Sequence, residues 1–309
     1  MMSSAIFIII LVIIALILLF RDTYYKPFTR IVSWNIRFFG LENTHDNTLS
    51  YYQTIAQRIK TLDPQIVCLQ EISSVTGLEH LMKYLSNYDV FIDPEAKKQN
   101  VSFIEEIGYQ SLYYKVSNNE LTHDIVSNIM LNCILVKRNI RVVSFDVVHK
   151  RQLRLSYYDK YIGDNVVVYN VHLPSDHISN QSQERLAILN NLTNAIDNNE
   201  EKYVVVAGDF NADYKTNEVQ YIQHQGLVHS NEVVNRLYYK SSDVTGMDLT
   251  FSHRRKENDH FRRLDHFFVS QELSNHIIGG FTDNTHCAGN MGDILGEISD
   301  HCMIALDIR

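Results

Sequence analysis

Short apolar runs alternate along most of the chain with stretches in which apolar residues recur at helical spacing. The run from Tyr203 to Ala207 is rich in β-branched residues, too short for a helix and bounded by Gly208, which predicts a buried strand. Residues 94–124 are polar and weakly patterned, and we expect a surface loop with one further strand there. The same reasoning predicts strands over residues 31–34, 65–70, 88–92, 127–137, 141–149, 165–171, 298–308 and from 265 onward, and helices over residues 51–62, 77–85 and 183–196.

The strand that begins at Tyr203 stops abruptly at a glycine and two short polar side chains. Gly208 permits a sharp turn or a close approach of two backbones. Asp209 and Asn211 are two residues apart, so in an extended backbone both would point to one place at the end of the strand. A carboxylate there can orient a water or hold a metal, and an amide can donate to a phosphate oxygen. The same four residues also fit an Asx turn that does no more than end the strand.

Other predicted strands also deliver a polar residue to their ends. Loops at the edge of a sheet build sites, so we expect these residues to act together, although each alone also fits a solvated loop or a turn hydrogen bond. Adjacent residues of a strand face opposite ways, so Asp300 and His301 are expected to have different roles unless the turn twists them together. The residues at the strand ends are Asn35, Glu71, His172, Asp265, Asp300 and His301.

Composition narrows the class of protein. A chain of 309 residues with 45% hydrophobic content can bury one large core, and we expect a single α/β domain. A net charge of −8 argues against a protein that coats nucleic acid through overall positive charge, but it leaves local basic patches open. The four cysteines show no C-x-x-C pairing. Three of them, Cys68, Cys133 and Cys302, lie in apolar runs typical of buried free thiols, which favours a reducing compartment.

The N-terminus predicts a single transmembrane helix. Residues 5–20 are all apolar, and with residues 1–4 the segment reaches the length needed to cross a bilayer. A signal peptide would have a cation before its apolar stretch, and no cation precedes this one. Arg21, Lys26 and Arg30 follow it, and by the positive-inside rule they predict that the rest of the chain lies in the cytoplasm. The predicted organisation is an anchor over residues 1–22, a linker over 23–29 and a catalytic domain over 30–309.

Six segments, in their order along the chain, resemble the ordered motifs of the endonuclease/exonuclease/phosphatase superfamily. The resemblance covers residues 30–309. Three stretches look most like deoxyribonuclease I, namely Asn35-Ile36-Arg37 with Phe39-Gly40, residues 208–213 and residues 298–301. Arg263-Leu264-Asp265 and Asp300-His301-Cys302 look more like apurinic endonucleases. The segments are Trp34-Asn35-Ile36, Gln70-Glu71, Val171-His172-Leu173, Gly208-Asp209-Phe210-Asn211, Arg263-Leu264-Asp265 and Ser299-Asp300-His301.

This resemblance implies a four-layer αββα sandwich of two mixed sheets with a site at one end. It also implies hydrolysis of a phosphate ester, which depends on Mg²⁺ or on Mn²⁺ as a substitute. Such chemistry needs a hard cation, carboxylates, amides and histidines. Motif matching makes Glu71 the principal metal ligand, with Asn35 and Asp300 nearby. It assigns the attacking water and the phosphate to Asp209 and Asn211, a role as base or phosphate ligand to His301 paired with Asp265, and a leaving-group role to His172.

The chain also departs from both subfamilies. Apurinic endonucleases have a tyrosine where His172 stands and a carboxylate where Arg37 stands. Deoxyribonuclease I has a glutamate that supports its equivalent of His172 and an arginine that contacts DNA, and the matching positions here are Met130 and Ser73. The DNA contacts of deoxyribonuclease I are therefore not carried over.

Three functions remain open on the sequence. The first is a membrane-tethered nuclease, an endonuclease whose basic residues Arg254, Arg255, Lys256, Arg262 and Arg263 would bind the phosphate backbone near Asp265; the alternative for these residues is a solvated loop. The second is a lipid or inositol-phosphate hydrolase, similar to a sphingomyelinase or a phosphoinositide phosphatase, which a membrane anchor would hold near headgroups. The third is an inactive membrane scaffold.

Overall fold

Two six-stranded sheets and the helices outside them make up most of the described chain. The computed structural model describes residues 27–39, 48–117, 120, 122, 125, 129–175, 181–240, 253–255, 260–283, 299 and 301–309. The strands are β1 (Thr29–Phe39), β2 (Ile66–Ile72), β3 (Tyr88–Ile92), β4 (Leu131–Lys137), β5 (Arg141–His149), β6 (Gln152–Asp159), β7 (Asp164–His172), β8 (Val204–Asp209), β9 (Val228–His229), β10 (His253–Arg255), β11 (His260–Arg262), β12 (Asp265–Val269), β13 (Ile277–Asp283) and β14 (Met303–Ile308). The helices are α1 (Thr48–Leu62), α2 (Val75–Tyr84), α3 (Pro94–Ile107), α4 (Tyr109–Ser117), α5 (Gln181–Asn198), α6 (Asn217–His224), α7 (Ser230–Lys240) and α8 (Gln271–Ser274).

Both large sheets are mixed. The first has the strand order β13-β14-β1-β2-β4-β3, and the second has the order β5-β6-β7-β8-β12-β9. The β1–β2 and β7–β8 pairs are parallel, and the other pairs within these sheets are antiparallel. Parallel neighbours carry their carboxyl ends to the same edge, so the ends of β1 and β2 meet in one sheet and those of β7 and β8 meet in the other.

Strand side chains alternate between a core inside the sandwich and cores under the helices. Ile31 and Val205 belong to the cluster between the sheets. Their neighbours Val32 and Val204 face outward, where the first packs with residues of α1 and α2 and the second with residues of α5 and α6. Because both faces of these strands are buried, they read as continuous apolar runs rather than as alternating ones. The predicted αββα arrangement of two mixed sheets flanked by helices is confirmed.

A buried polar contact joins the two sheets beneath their shared end. Gln70 Nε2 donates to Asn170 Oδ1 at 2.7 Å, and Asn170 Nδ2 donates to the carbonyl oxygens of Leu69 and Cys133. Buried amides without partners are costly, so this network favours one register between the sheets. Gln70 immediately precedes Glu71, and Asn170 lies two residues before His172, so the contact sets these two site residues relative to each other.

One predicted loop is wrong. Residues 94–117 form α3 and α4 instead of a loop with a strand. The Asp93 side chain accepts from the Glu95 backbone N–H, and Pro94 occupies the first turn, so the start of α3 carried two helix signals. Few of its residues are apolar enough to show helical spacing, because α3 buries mainly Ala96 and Asn100.

The structure also differs from the sequence prediction at β6 and at the strands β10 and β11. Strand β6 was missed because charged residues interrupt its apolar pattern; Arg154 bonds Glu201 and Asp146, partners that are distant in sequence. The basic segment expected to be a loop contains two short strands, β10 and β11, which pair with each other. Lys256 lies outside the described residues.

The predictions for the N-terminal anchor and for the cysteines have different outcomes. Among the described residues, no helix is both long and apolar enough to cross a membrane. The predicted span, residues 5–20, lies outside them and stays a prediction. Cys68 and Cys133 are buried free thiols as expected, whereas Cys302 is disulfide-bonded, so that expectation was wrong for Cys302.

Candidate active site

Polar side chains from six strand ends converge at one end of the sandwich. Asn35 and Glu71 come from the parallel pair β1–β2, and His172 and Asp209 are the last residues of the parallel pair β7–β8. The antiparallel strand β12 begins at the same edge, where Asp265 pairs with Asp209. His301 lies just before β14, which runs antiparallel to β1. The topology therefore gathers residues that are far apart in sequence.

Gly208 lets β7 and β8 approach closely just below the site. Its φ of 149° is a conformation that other residues rarely adopt, and a Cβ at this position would lie 1.8 Å from the Val171 carbonyl oxygen. The predicted close backbone approach is what the structure shows. Asp209 consequently begins the turn directly beside His172.

Asn211 contacts both carboxylate oxygens of Asp209. Its backbone N–H donates to Asp209 Oδ1 at 2.7 Å, which is the Asx turn, and its Nδ2 lies 3.3 Å from Asp209 Oδ2. The other amide hydrogen goes to the Leu173 carbonyl at 2.8 Å. The backbone is not extended as expected, because Asn211 has a φ of 47°, a left-handed conformation that asparagine tolerates. The turn and the site are thus one feature, in which Asn211 orients Asp209.

Asn35 bridges the two carboxylates at the centre of the site. Its Nδ2 donates to Glu71 Oε1 at 2.9 Å and to Asp209 Oδ2 at 2.8 Å, and its Oδ1 accepts from the Arg37 N–H. The registers of β1 and β2 both shift here, and Arg37 and Glu71 have positive φ angles. Bulges and left-handed residues of this kind turn a side chain toward a site.

His172 faces the same carboxylates. Its Nε2 lies 3.7 Å from Glu71 Oε1 and 4.0 Å from Asp209 Oδ2. Burial lowers the pKa of His172 well below its ordinary value, and Arg151 and His301 lower it further, so the ring is neutral at pH 7. Its Nδ1 has no hydrogen-bond partner among the described residues. No carboxylate in the described part of the chain supports His172 from behind, in line with Met130 standing at that position.

His301 and Asp265 form a buried pair on the other side of Asp209. His301 Nδ1 lies 2.8 Å from Asp265 Oδ2, and His301 Nε2 lies 3.7 Å from Asp209 Oδ2. A carboxylate that accepts from Nδ1–H leaves the lone pair of a neutral imidazole on Nε2. The Nε2 atom of His301 is thus directed at the centre of the site.

The surroundings of Asp209 disfavour its negatively charged form. Burial raises the pKa of Asp209 to about 7; His301 opposes the rise and Asp265 adds to it. A cation placed beside Asp209 would lower this pKa again. The centre of the site therefore favours positive charge.

Arg151 is a site residue that the sequence analysis missed. It lies in the turn between β5 and β6, and its carbonyl accepts from the His172 N–H at 3.1 Å. Burial lowers the pKa of Arg151, whereas the charges of Glu71 and Glu184 raise it. Within the described ranges, its guanidinium makes no hydrogen bond and no ion pair within 4 Å. The signal in the sequence was a pair of cations, Lys150-Arg151, directly after a predicted strand.

The remaining predicted site residues are the basic residues before Asp265, whose positions are described in part, and Asp300. Arg262 and Arg263 are half-buried at the junction of β11 and β12, directly before Asp265, and Arg263 stacks on the ring of Tyr214 at 5.4 Å. The backbones of Arg254 and Arg255 lie in β10, which pairs with β11. Asp300, an expected metal neighbour, lies outside the described residues.

The donor set fits a hard divalent cation. One ligand atom each from Glu71, His172 and Asp209 can be chosen so that all three lie within 4.8 Å of one another. Glu71 is the most exposed of the three side chains, at 14%, so a metal there would stay open to water and substrate. Magnesium is commonly held by one or two carboxylates together with waters and phosphate oxygens, which suits Glu71 and Asp209. Asp209, Asp265 and His301 form a second group of this kind, but its last two members are bonded to each other.

Solved structures with a similar fold come from different enzymes. Truncated TDP2 from Caenorhabditis elegans matches with a TM-score of 0.60 and 20% identity, over 91% of this chain and 97% of that chain. TDP2 from D. rerio, in complex with a single-strand DNA product, matches with a TM-score of 0.60 and 17% identity, over 92% of this chain and 100% of that chain. A mannosyl-6-phosphatase from Bacteroides thetaiotaomicron matches with a TM-score of 0.61 and 16% identity, over 91% of this chain and 99% of that chain. At these identities the likeness shows the fold alone.

Sequence comparison settles the family. Curated protein sequences give no match. The model of the endonuclease/exonuclease/phosphatase family matches residues 32–301, a range that includes every strand end of the site. The chain therefore belongs to the endonuclease/exonuclease/phosphatase family, whose members are hydrolases that act on phosphoester bonds.

Proposed function

We propose that this protein is a Mg²⁺-dependent phosphodiesterase that cleaves nucleic acid. The observation that carries the proposal is Arg151, a partly buried cation beside Glu71 and His172 that has no hydrogen-bond or ion-pair partner among the described residues. Placing an unpaired guanidinium there costs desolvation energy, and a substrate phosphate would recover it through charge-assisted hydrogen bonds.

The central residues support phosphoester hydrolysis. A magnesium ion held by Glu71, with Asp209 nearby, would neutralise charge on the phosphoryl oxygens and leaving group. Asp209, oriented by Asn35 and Asn211, is placed to align the attacking water. His301, with its proton on Nδ1, offers its Nε2 lone pair as a proton acceptor, and neutral His172 offers a donor toward a phosphate oxygen. Asn211 would have to give up its longer bond, to Asp209, in order to donate to the phosphate itself.

Cations on two sides of the site favour a substrate with several phosphates. Lys150 and Arg151 belong to the turn between β5 and β6, which contacts His172, and Arg262 and Arg263 lie within three residues before Asp265. A single phosphate monoester would reach one of these groups, whereas a polynucleotide crossing the site would reach both. Backbone phosphates bound in this way position the substrate without reading its sequence.

The route of β1 argues against lipid headgroups as the substrate. β1 enters the sandwich at Thr29, at the end opposite the site, and reaches the site at Asn35, about 20 Å away at the usual strand rise. If residues 1–22 form a membrane anchor joined by a linker over 23–29, the anchor attaches to the catalytic domain at the end opposite the site. A nucleic acid needs only access from water. Cytoplasmic placement remains a prediction from the flanking cations.

The deciding experiment compares substrate classes. The full-length protein and a protein lacking residues 1–22 would be assayed with Mg²⁺ on supercoiled plasmid DNA, on RNA, and on vesicles containing sphingomyelin or phosphoinositides. We expect both proteins to cut nucleic acid, with cleavage that weakens steeply as salt rises. Turnover of a lipid headgroup without nicking of the plasmid would overturn the proposal in favour of a lipid or inositol-phosphate hydrolase.

The role of Arg151 can be tested with one variant at that position and a control variant elsewhere in the chain. Arg151→Ala should raise KM more than it lowers kcat and should reduce the salt slope of binding by about 1, because one phosphate contact is lost. Arg141→Ala, at the opposite end of β5, serves as the control and should change neither quantity. An unchanged salt slope in Arg151→Ala would mean that Arg151 does not contact a substrate phosphate, and the proposal would lose its main support.

A further inference from the structure

Two buried histidines lie next to the site without belonging to it. His266 follows Asp265 in β12, and His229 ends β9; each is 1% exposed. Successive residues of a strand face opposite ways, so Asp265 turns toward His301 while His266 turns toward Phe210 and His229. Neither histidine has a part in the proposed chemistry.

A continuous set of hydrogen bonds runs through both rings. The Asn231 N–H lies 3.2 Å from His229 Nδ1, His229 Nε2 lies 2.9 Å from His266 Nδ1, and His266 Nε2 lies 2.9 Å from the Ala212 carbonyl oxygen. We name this path from Asn231 to Ala212 the histidine bridge. It connects the start of α7 to the turn that follows β8.

The two ends of the histidine bridge determine the proton on every ring nitrogen. A backbone N–H can only donate, so His229 Nδ1 accepts and its proton lies on Nε2. That proton is donated to His266 Nδ1, so the proton of His266 also lies on Nε2, from which it is donated to a carbonyl that can only accept. A further proton on either Nδ1 would face another hydrogen. The bridge therefore requires two neutral rings of the same tautomer.

The histidine bridge ends one residue beyond Asn211. The Ala212 carbonyl is held in place, and Asn211 precedes it in a left-handed conformation that costs free energy unless its surroundings stabilise it. The Phe210 N–H, on the other side of Asn211, donates to the Leu264 carbonyl at 2.8 Å. The turn is thus fixed on both sides of Asn211, and Asn211 in turn contacts both oxygens of Asp209.

We propose that His229 and His266 are positioning residues, which hold the turn after β8 so that Asn211 orients the Asp209 carboxylate for catalysis. This inference rests on the proposed function for its effect on rate, since Asp209 is there assigned to the attacking water. The tautomer of the two rings and the position of the turn do not depend on which phosphoester is the substrate.

The first test is spectroscopic and needs no activity. Full-length protein labelled with ¹⁵N in histidine would be studied at neutral pH by long-range ¹H–¹⁵N correlation, with His229→Gln and His266→Gln used to assign the signals. We expect both rings to carry their proton on Nε2, with Nδ1 as a hydrogen-bond acceptor. A proton on Nδ1 in either ring would overturn the proposal.

The second test compares two replacements of His266. Glutamine keeps an acceptor for His229 and a donor that reaches Ala212, whereas asparagine is too short to reach the Ala212 carbonyl. We expect His266→Gln to retain kcat within about threefold and His266→Asn to lose about tenfold to a hundredfold in kcat with little change in KM, because a small displacement of a catalytic group is costly. His224→Asn, at an exposed position of α6, is the control and should behave as the parent protein.

The outcomes separate this inference from the proposed function. Equal kcat in His266→Gln and His266→Asn, with both folded by circular dichroism, would refute a positioning role. If the parent protein cuts no nucleic acid, the proposed function fails, and the same variants would be compared on whichever phosphoester is hydrolysed. If both variants lose activity together with stability, the bridge supports the fold rather than the position of Asp209, and the inference is wrong.

Discussion

His301 Nδ1 lies 2.8 Å from Asp265 Oδ2, and the two residues are 36 positions apart in sequence. Both side chains are buried, so the hydrogen bond is shielded from water and holds the imidazole in one tautomer with Nε2 directed at Asp209. The chemistry of the pair depends on which nitrogen of His301 carries the proton.

Asp265→Asn should therefore lower kcat by about 10²-fold to 10⁴-fold. An amide can donate to Nδ1, which moves the imidazole proton to Nε2 and removes the lone pair from the site. Steady-state kinetics would measure the loss. The control is Asp307→Asn, which breaks an ion pair with Arg30 in the other large sheet, far from the site. Equal activity of the parent protein and Asp265→Asn would show that the tautomer of His301 is irrelevant to catalysis.

Glu71→Gln and removal of metal should have the same effect on activity. The change removes the most exposed carboxylate of the metal cluster, and losing several kcal/mol of charge stabilisation corresponds to a decrease in kcat of about 10³-fold or more. A chelator should abolish hydrolysis, and Mg²⁺ or Mn²⁺ should restore it better than Ca²⁺, whose longer and looser coordination positions the phosphate poorly.

The matched control for Glu71 is Glu79→Gln on the exposed face of α2. It should leave both kcat and the metal requirement unchanged. Full hydrolysis by the parent protein in excess chelator would rule out the magnesium site.

Gly208→Ala should destabilise the fold by about 3 kcal/mol or more, because the added methyl group would meet the Val171 carbonyl and β7 and β8 would have to separate. Urea denaturation at neutral pH would measure the free energy of unfolding. Gly163→Ala is the comparison, since Gly163 also has a positive φ, of 79°, but no atom lies within 4 Å of the added carbon. It should cost only about 1–2 kcal/mol. Equal losses in the two variants would mean that β7 and β8 are not in close contact.

Stability should fall in acid because of the histidine bridge. Burial lowers the pKa of His266 from 6.5 to about 4, so the unfolded state binds more protons between these pH values, and the free energy of unfolding decreases as pH falls through this window. The full effect of one such group is about 3 kcal/mol. Asp209, whose pKa is raised, acts in the opposite direction.

The difference in the free energy of unfolding between the parent protein and His266→Gln isolates the contribution of His266. Urea denaturation of the parent protein and of His266→Gln at pH 7, 5.5 and 4.5 should show that the stability advantage of the parent protein shrinks as pH falls. The contribution of Asp209 is common to both and cancels. A constant difference across this range would mean that His266 does not change its proton affinity on folding.

The sequence by itself determined most of the strands and the identity of the polar residues at their ends. A strand buried on both faces must be a run of apolar residues, and that property is local, so the run from Tyr203 to Ala207 is readable without a structure. Gly208 was readable for the same reason, since a glycine at the end of such a run indicates a close approach. The ordered motifs then pointed to the family.

Only the tertiary structure decided which residues act together and how. Arg151 lies beside His172 because β5 and β6 turn at the same end of the sheet, and no local pattern records that neighbour. Strand β6 was hidden because Arg154 finds its carboxylate partners on other strands. Asn211 orients Asp209 through a left-handed turn held by histidines 17 and 54 residues downstream of Ala212, as hydrogen bonds between distant residues depend on strand pairing rather than on sequence spacing.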